Sequence, residues 1–174
     1  VKKILLFLVL VTLLSCKNGQ KSSVAKRDRK EKPKKEKVTA VESSIRKKTE
    51  LVIKTARSYT GTPYKYGGTS RAGMDCSALT CASYKAAEIQ LPRTANEQGN
   101  FGKTVSLNDL QKGDLVFFTD KKGHKKITHV GMVTEIKGTD SVKFIHASTK
   151  MGVVETELFT DYYKPIIIKA VRIF

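Results

Sequence analysis

Three patterns of apolar and polar positions follow one another along the chain. The first is an eleven-residue apolar run from Ile4 to Leu14, interrupted only by Thr12, preceded by Lys2 and Lys3 and closed by Ser15-Cys16. A helix of that length would be about 16–17 Å long, roughly half the hydrocarbon thickness of a bilayer. The run therefore predicts the apolar region of an export signal, residues 1–16, and not a membrane span. The second pattern, residues 17–42, is polar and crowded with lysine. It offers too little to bury against the entropy of ordering the chain, and it predicts a disordered tether. The third pattern begins near Val41, where Ile45, Val52, Ala56 and Tyr59 fall on one helical stripe with Ser43 or Ser44 as N-cap.

Gly61-Thr62-Pro63 ends that helix, because Pro63 turns Thr62 away from the α region. Tyr64 to Gly68 then reads as a loop. Cys76 to Ile89 has Leu79, Ser83, Ala86 and Ala87 at helical spacing and Asp75 as N-cap. Thr94 to Gly99 predicts a short helix. Beyond it the period changes. Asp114–Phe118 reads as a buried strand, and Thr128–Ile136 and Val142–Ala147 as two strands around Lys137-Gly138-Thr139-Asp140. Gly152–Glu155 and Ile167–Ile173 are weaker strands, with a helical turn near Leu158 to Tyr163. Helices followed by antiparallel strands predict an α+β domain over residues 43–174, with a sheet of about five strands.

Charge changes the picture at one place. The net charge is +17, and residues 17–50 carry thirteen Lys and Arg against five acids. A tether of ~30 residues has a root-mean-square reach of roughly 30 Å, more when like charges repel. It can serve as a solvated linker, or it can grip anionic lipid headgroups or wall carboxylates. Export argues against nucleic acid as its partner. Leu13-Leu14-Ser15-Cys16 resembles the bacterial lipobox, and the resemblance implies lipidation at Cys16 and a lasting membrane anchor. The three cysteines, at 16, 76 and 81, show no paired motif for structural zinc.

Cys76 opens its predicted helix, where the helix dipole and unpaired N–H groups favour a thiolate. Of three histidines, His124 sits in the cationic loop Lys121–Lys126 and is expected to be solvated. A hairpin centred on Lys137-Gly138 would set His129 directly opposite His146 on one face, beside Gly131, Val133 and Phe144. A thiol nucleophile, a base and a group that orients the base is the general arrangement for thiol acyl transfer. The Cys76 N–H and a tyrosine hydroxyl are available for an oxyanion. A metal site from Cys76, His129 and His146 would lack a fourth ligand at any recognisable spacing, so no metal and no cofactor are expected.

Gly61 to Gly68, Asp75-Cys76-Ser77, Leu91-Pro92-Arg93-Thr94 with Gln98, Gly113 to Phe118, His129-Val130-Gly131 and Ile145-His146-Ala147 together resemble the NlpC family of bacterial cell-wall cysteine peptidases. The resemblance implies a papain-like fold, with the cysteine helix packed on an antiparallel sheet. It implies Cys76 as nucleophile, His129 as base, His146 as the orienting third residue and Tyr64 as the oxyanion tyrosine. Ser77 and Arg93 would contact substrate, and Tyr66 would serve packing. With the lipobox, the chain resembles lipoprotein murein endopeptidases. That implies action on peptidoglycan in the cell envelope; a monomer is expected, and because Lys17-Asn18 carry no acidic retention signal, the lipid anchor is expected in the outer membrane, facing the periplasm. Two positions depart from the pattern: Ala78 stands where the family commonly has Gly, and Cys81, five residues on from Cys76, is beyond disulfide reach and is expected to be buried and inert. Two rival readings remain: a non-catalytic lipid-anchored peptidoglycan-binding protein, and acyl transfer to a lipid or amine.

Overall fold

The structure, a computed structural model, describes residues 32–174; the predicted export signal, Cys16 and residues 17–31 of the predicted tether lie outside the described residues. Helix α1 spans Lys32–Arg57. It starts well before Val41 and takes in residues 32–42 of the segment expected to be a tether. The physical reason is local. Lys, Glu and Ala are good helix formers, no glycine interrupts the stretch, and Pro33 falls in the first turn, where its missing N–H is no loss. Helix propagation is favourable once one end is docked, even where little is buried. That docked end is buried through Val52, Ile53 and Ala56, whereas Val38, Val41 and Ile45 on the same stripe remain exposed. Among the described residues, no helix is long and apolar enough to cross a membrane.

A two-stranded ribbon, β1 (Thr69–Ser70) and β2 (Gly73–Met74), leads into α2 (Cys76–Lys85) and the short α3 (Ala95–Gln98). The main sheet is built from β3 (Lys103–Val105), β4 (Leu115–Phe118), β5 (His129–Ile136), β6 (Val142–Ser148), β7 (Gly152–Glu157) and β8 (Ile167–Arg172). Its spatial order is β3-β8-β4-β5-β6-β7 and all its pairings are antiparallel. Six strands stand where about five were expected. The extra one is β3, three mostly exposed edge residues that pair with β8 and carry no apolar alternation.

Both faces of the sheet are covered, which is why β4 reads as a continuous apolar run. On one face Leu115, Phe117, Val130, Met132, Ile145 and Ala147 pack under α1 and α2. On the other, Val116, Phe118, Val133, Val142, Phe144 and Leu158 form a second cluster beneath the segment that returns to β8.

The β5–β6 register differs from the expected one. The turn is wider, with Lys137 N bonded to Ser141 O and Ile136 opposite Val142. A bulge lies between Val133 and Glu135, and beyond it Met132 stands opposite Ile145. Continued toward the strand start, this register brings Gly131, not His129, level with His146. A shift of two residues preserves the facing of every side chain. The two histidines therefore meet diagonally on one face.

Candidate active site

Asp75 organises the start of α2. Its Oδ1 caps the helix by accepting from Ala78 N at 2.8 Å, and also accepts from Ser77 Oγ at 3.0 Å. Its Oδ2 accepts from Gly67 N at 3.0 Å, tying in the tyrosine loop. Arg93 closes the arrangement, with Nη2 on Oδ2 at 2.7 Å and Nη1 on both Oδ1 at 3.0 Å and Ser77 Oγ at 2.8 Å. Burial alone would raise the Asp75 carboxyl, but hydrogen bonds from Arg93, Ala78 and Ser77 hold it below its usual range. Ser77 and Arg93, expected to contact substrate, thus have their polar groups committed to Asp75, although both line the cavity over Cys76. The fully buried Gln98 joins the 90s loop to α2, with Nε2 on Pro92 O and Ser77 O and Oε1 accepting from Thr80. Cys81 lies alongside with its Sγ 3.3 Å from Pro92 O and 3.3 Å from Gln98 Nε2; it is half-buried, and burial raises its thiol.

This frame sets Cys76 at the first turn of α2, 6% exposed. Its sulfur lies by the backbone N–H groups of Val130, the residue after His129, of Ser77 and of Cys76 itself, all of which favour the thiolate. The helix start does not make it a thiolate at rest, contrary to the expectation from sequence. Burial, with Asp75 adding to it, outweighs those N–H groups and pushes the thiol up to about 11. Tyr64 is held by a bridge to Met74, and its hydroxyl is raised by burial and by the neighbouring Cys76, so it stays a donor beside the sulfur. Tyr66, expected to pack, is 89% exposed and stands at the cavity rim.

His129 and His146 meet through Nε2 and Nδ1 at 2.8 Å, their rings perpendicular at 87°. His146 is 3% exposed and stacks on Phe144 at 4.7 Å. Burial lowers His129 to about 4. Burial, and then the charge of His129, lowers His146 to about 3. Both are neutral at pH 7. The bond to His146 occupies Nε2 of His129, so Nδ1 is the nitrogen left to act as base. Two depressions adjoin here. One, of about 630 Å³, is lined by Cys76, Tyr66 and Arg93; the other, of about 330 Å³, by His129, His146 and Tyr163. Tyr64 and Thr128 line both.

His124 pairs with Asp120 on the exposed cationic loop, and Asp120 lines the depression that holds His129 and His146. Among the described residues, no group of three or more His, Cys, Asp and Glu side chains could hold a metal ion. Sequence reasoning missed the Arg93–Asp75 clamp and the hydroxyls of Thr156 and Tyr163, which lie 3.4 and 3.2 Å from His146 Nε2. No local pattern around residue 163 signals a site; only the chain's return beneath β6 brings it there.

A helix-start cysteine under a tyrosine hydroxyl, next to an imidazole pair carried by an antiparallel sheet, defines a cysteine-and-histidine α+β domain. Residues 61–172 match the model of the NlpC/P60 family, and the chain belongs to that family. It is 40% identical over 106 residues to a probable endopeptidase of Haemophilus influenzae, covering 60% of this chain and 62% of that one. It is 33% identical over 105 residues to the murein DD-endopeptidase MepS/murein LD-carboxypeptidase of Escherichia coli, covering 60% of this chain and 52% of that one. A solved NlpC/P60 family protein from Bacillus cereus superposes with a TM-score of 0.65 at 34% identity, over 71% of this chain and 39% of that one. The chain thus spans between about two fifths and two thirds of the length of these relatives.

Proposed function

We propose that this protein is a peptidoglycan hydrolase that cuts an amide bond in the stem peptide or crosslink, with Cys76 as nucleophile. The observation that carries the reading is the 2.8 Å bond between His129 Nε2 and His146 Nδ1, set next to a cysteine whose sulfur lies by the Val130 N–H. The similarity to the murein DD-endopeptidase of Escherichia coli supports the substrate class.

Because thiol and imidazole are both neutral at rest, the proton moves as the bond forms. His129 Nδ1 takes the Sγ proton while the sulfur attacks the carbonyl carbon. The oxyanion accepts hydrogen bonds from the Cys76 N–H and the Tyr64 hydroxyl. The imidazolium of His129 donates through Nε2 to His146 Nδ1, which holds the ring in place. His129 then gives its Nδ1 proton to the leaving amine, and the acyl group stays on sulfur. Water, deprotonated by the same Nδ1, releases the carboxylate and restores the thiol. Asp75, Arg93 and Ser77 fix the start of α2 that presents the sulfur.

Lipid anchoring at Cys16, in the outer membrane and facing the periplasm, belongs to the same proposal and is supported by Leu13-Leu14-Ser15-Cys16 after the apolar run. The basic residues that follow suit an anionic lipid or wall surface.

The test is mass spectrometry of purified wall fragments incubated with wild type and with Cys76→Ala. New fragments from wild type alone, each heavier by one water, support hydrolysis, and their masses identify the bond. Unchanged fragments would leave a wall-binding protein. Products joined to an added amine would indicate acyl transfer.

A further inference from the structure

The imidazole pair does not end at His146. Its outer nitrogen, Nε2, lies 3.2 Å from Tyr163 Oη and 3.4 Å from Thr156 Oγ1. Thr156 also lies beside the Tyr163 hydroxyl and counters the rise that burial gives it. A tyrosine oxygen has two acceptor positions. A Thr156 hydroxyl that donates to one leaves the other for His146. The tyrosine ring packs edge-on against Phe118 at 5.7 Å, Phe144 at 5.0 Å and His146 at 5.6 Å, which sets its hydroxyl toward that nitrogen.

We infer that Tyr163, backed by Thr156, is a positioning residue that sets the proton order of the two imidazoles. When its oxygen accepts from His146 Nε2–H, Nδ1 of His146 is an unprotonated acceptor. His129 must then carry its proton on Nε2, and Nδ1 of His129 is free to take a proton from the thiol. The opposite order disables the base. With the His146 proton on Nδ1, His129 Nε2 becomes an acceptor and its proton moves to Nδ1, where the thiol needs a lone pair. A third residue that is itself an imidazole has two tautomers and requires such a partner. The consequence is greatest when His129 is charged, because its Nε2–H then requires the His146 acceptor. The titratable groups lining the depression with the pair are Tyr64, Asp120, Tyr162 and Tyr163; Cys76 lies beside Tyr64, and His124 is bonded to Asp120.

The inference rests on His129 and His146 acting as proposed, yet its first readout needs no turnover. In wild type at pH 7, ¹⁵N resonances of labelled histidine should place both His129 and His146 in the Nε2–H tautomer. Tyr163→Phe keeps the ring packing and removes the acceptor. It should mix the tautomers and lower kcat/KM about tenfold, part of the 10²–10⁴ that a positioned base supplies. KM should stay within about twofold, and the limb of the pH profile set by His129 should move to lower pH. Thr156→Val should act in the same direction with a smaller effect. An Nδ1–H tautomer at His146 in wild type would overturn the inference, as would Tyr163→Phe with unchanged tautomers and pH profile. Wild type that releases no wall fragments would sink the hydrolase reading instead, while the tautomers still decide this one.

Discussion

Arg93 grips both carboxylate oxygens of Asp75, one guanidinium nitrogen to each, at 2.7 and 3.0 Å. The pair spans the start of α2, the tyrosine loop and the 90s loop, so it positions the sulfur from outside the thiol itself. Arg93→Ala would leave a largely buried carboxylate with backbone donors and one hydroxyl. A stability loss of about 1–3 kcal/mol is expected, discounted for the exposure of the arginine. Arg93→Lys should recover only part of it, since an ammonium cannot make the fork. Urea unfolding with and without each variant measures the loss. An Arg93→Ala protein as stable as wild type would contradict the clamp.

The resting thiol bears on reactivity. A thiol raised to about 11 is almost wholly protonated at pH 7. Without substrate, alkylation of Cys76 by iodoacetamide should be slower than that of a free thiol and should accelerate as pH rises through 8 to 10. His129→Ala should leave that resting rate within a few fold while abolishing hydrolysis. Rapid alkylation at pH 6 would mean a thiolate–imidazolium pair instead.

Acid should destabilise the fold through the same pair. Both histidines are lowered by burial from the ordinary value of 6.5. The unfolded chain therefore binds more protons than the folded one below pH 6.5. Stability should be full above that pH and fall as the pH drops toward 4, with a slope of up to about 1.4 kcal/mol per pH unit for each histidine. Equilibrium unfolding between pH 7.5 and 4.5 checks this, and replacing both histidines should flatten the slope in that window.

Gly131 connects packing to the site. A Cβ there would lie 2.4 Å from Cδ2 of Phe144, the ring on which His146 stacks. Gly131→Ala should force Phe144 aside, cost about 1–3 kcal/mol, and lower kcat/KM through His146 without touching substrate. An active, fully stable Gly131→Ala protein would show that Phe144 can yield freely.

Much of this fold was legible in the residues. Asp75 before an Ala-rich stretch marked α2, and the apolar run Leu115–Phe118 marked a strand buried on both faces. Alternation through Phe144 and His146 assigned the face of the second histidine correctly even though the hairpin register was displaced, because facing repeats every two residues. The displacement itself was not legible, since turn length and a bulge depend on how strands settle against neighbours. The early start of α1 escaped for a different reason. Val38, Val41 and Ile45 are exposed there, and the helicity comes from propensity and from the docked end.

Residue order alone determined which groups could do chemistry here: one cysteine at a helix start, two histidines on a common strand face, and a tyrosine in a glycine-flanked loop. These follow from short-range rules of spacing and capping. Tertiary structure decided what state those groups are in. Burial holds the thiol protonated and both imidazoles neutral, a guanidinium from the 90s loop fixes the helix cap, and hydroxyls from β7 and the segment beyond it reach the outer histidine nitrogen. Such effects come from neighbours distant in the chain, and desolvation has no signature in the residues next to the one that feels it.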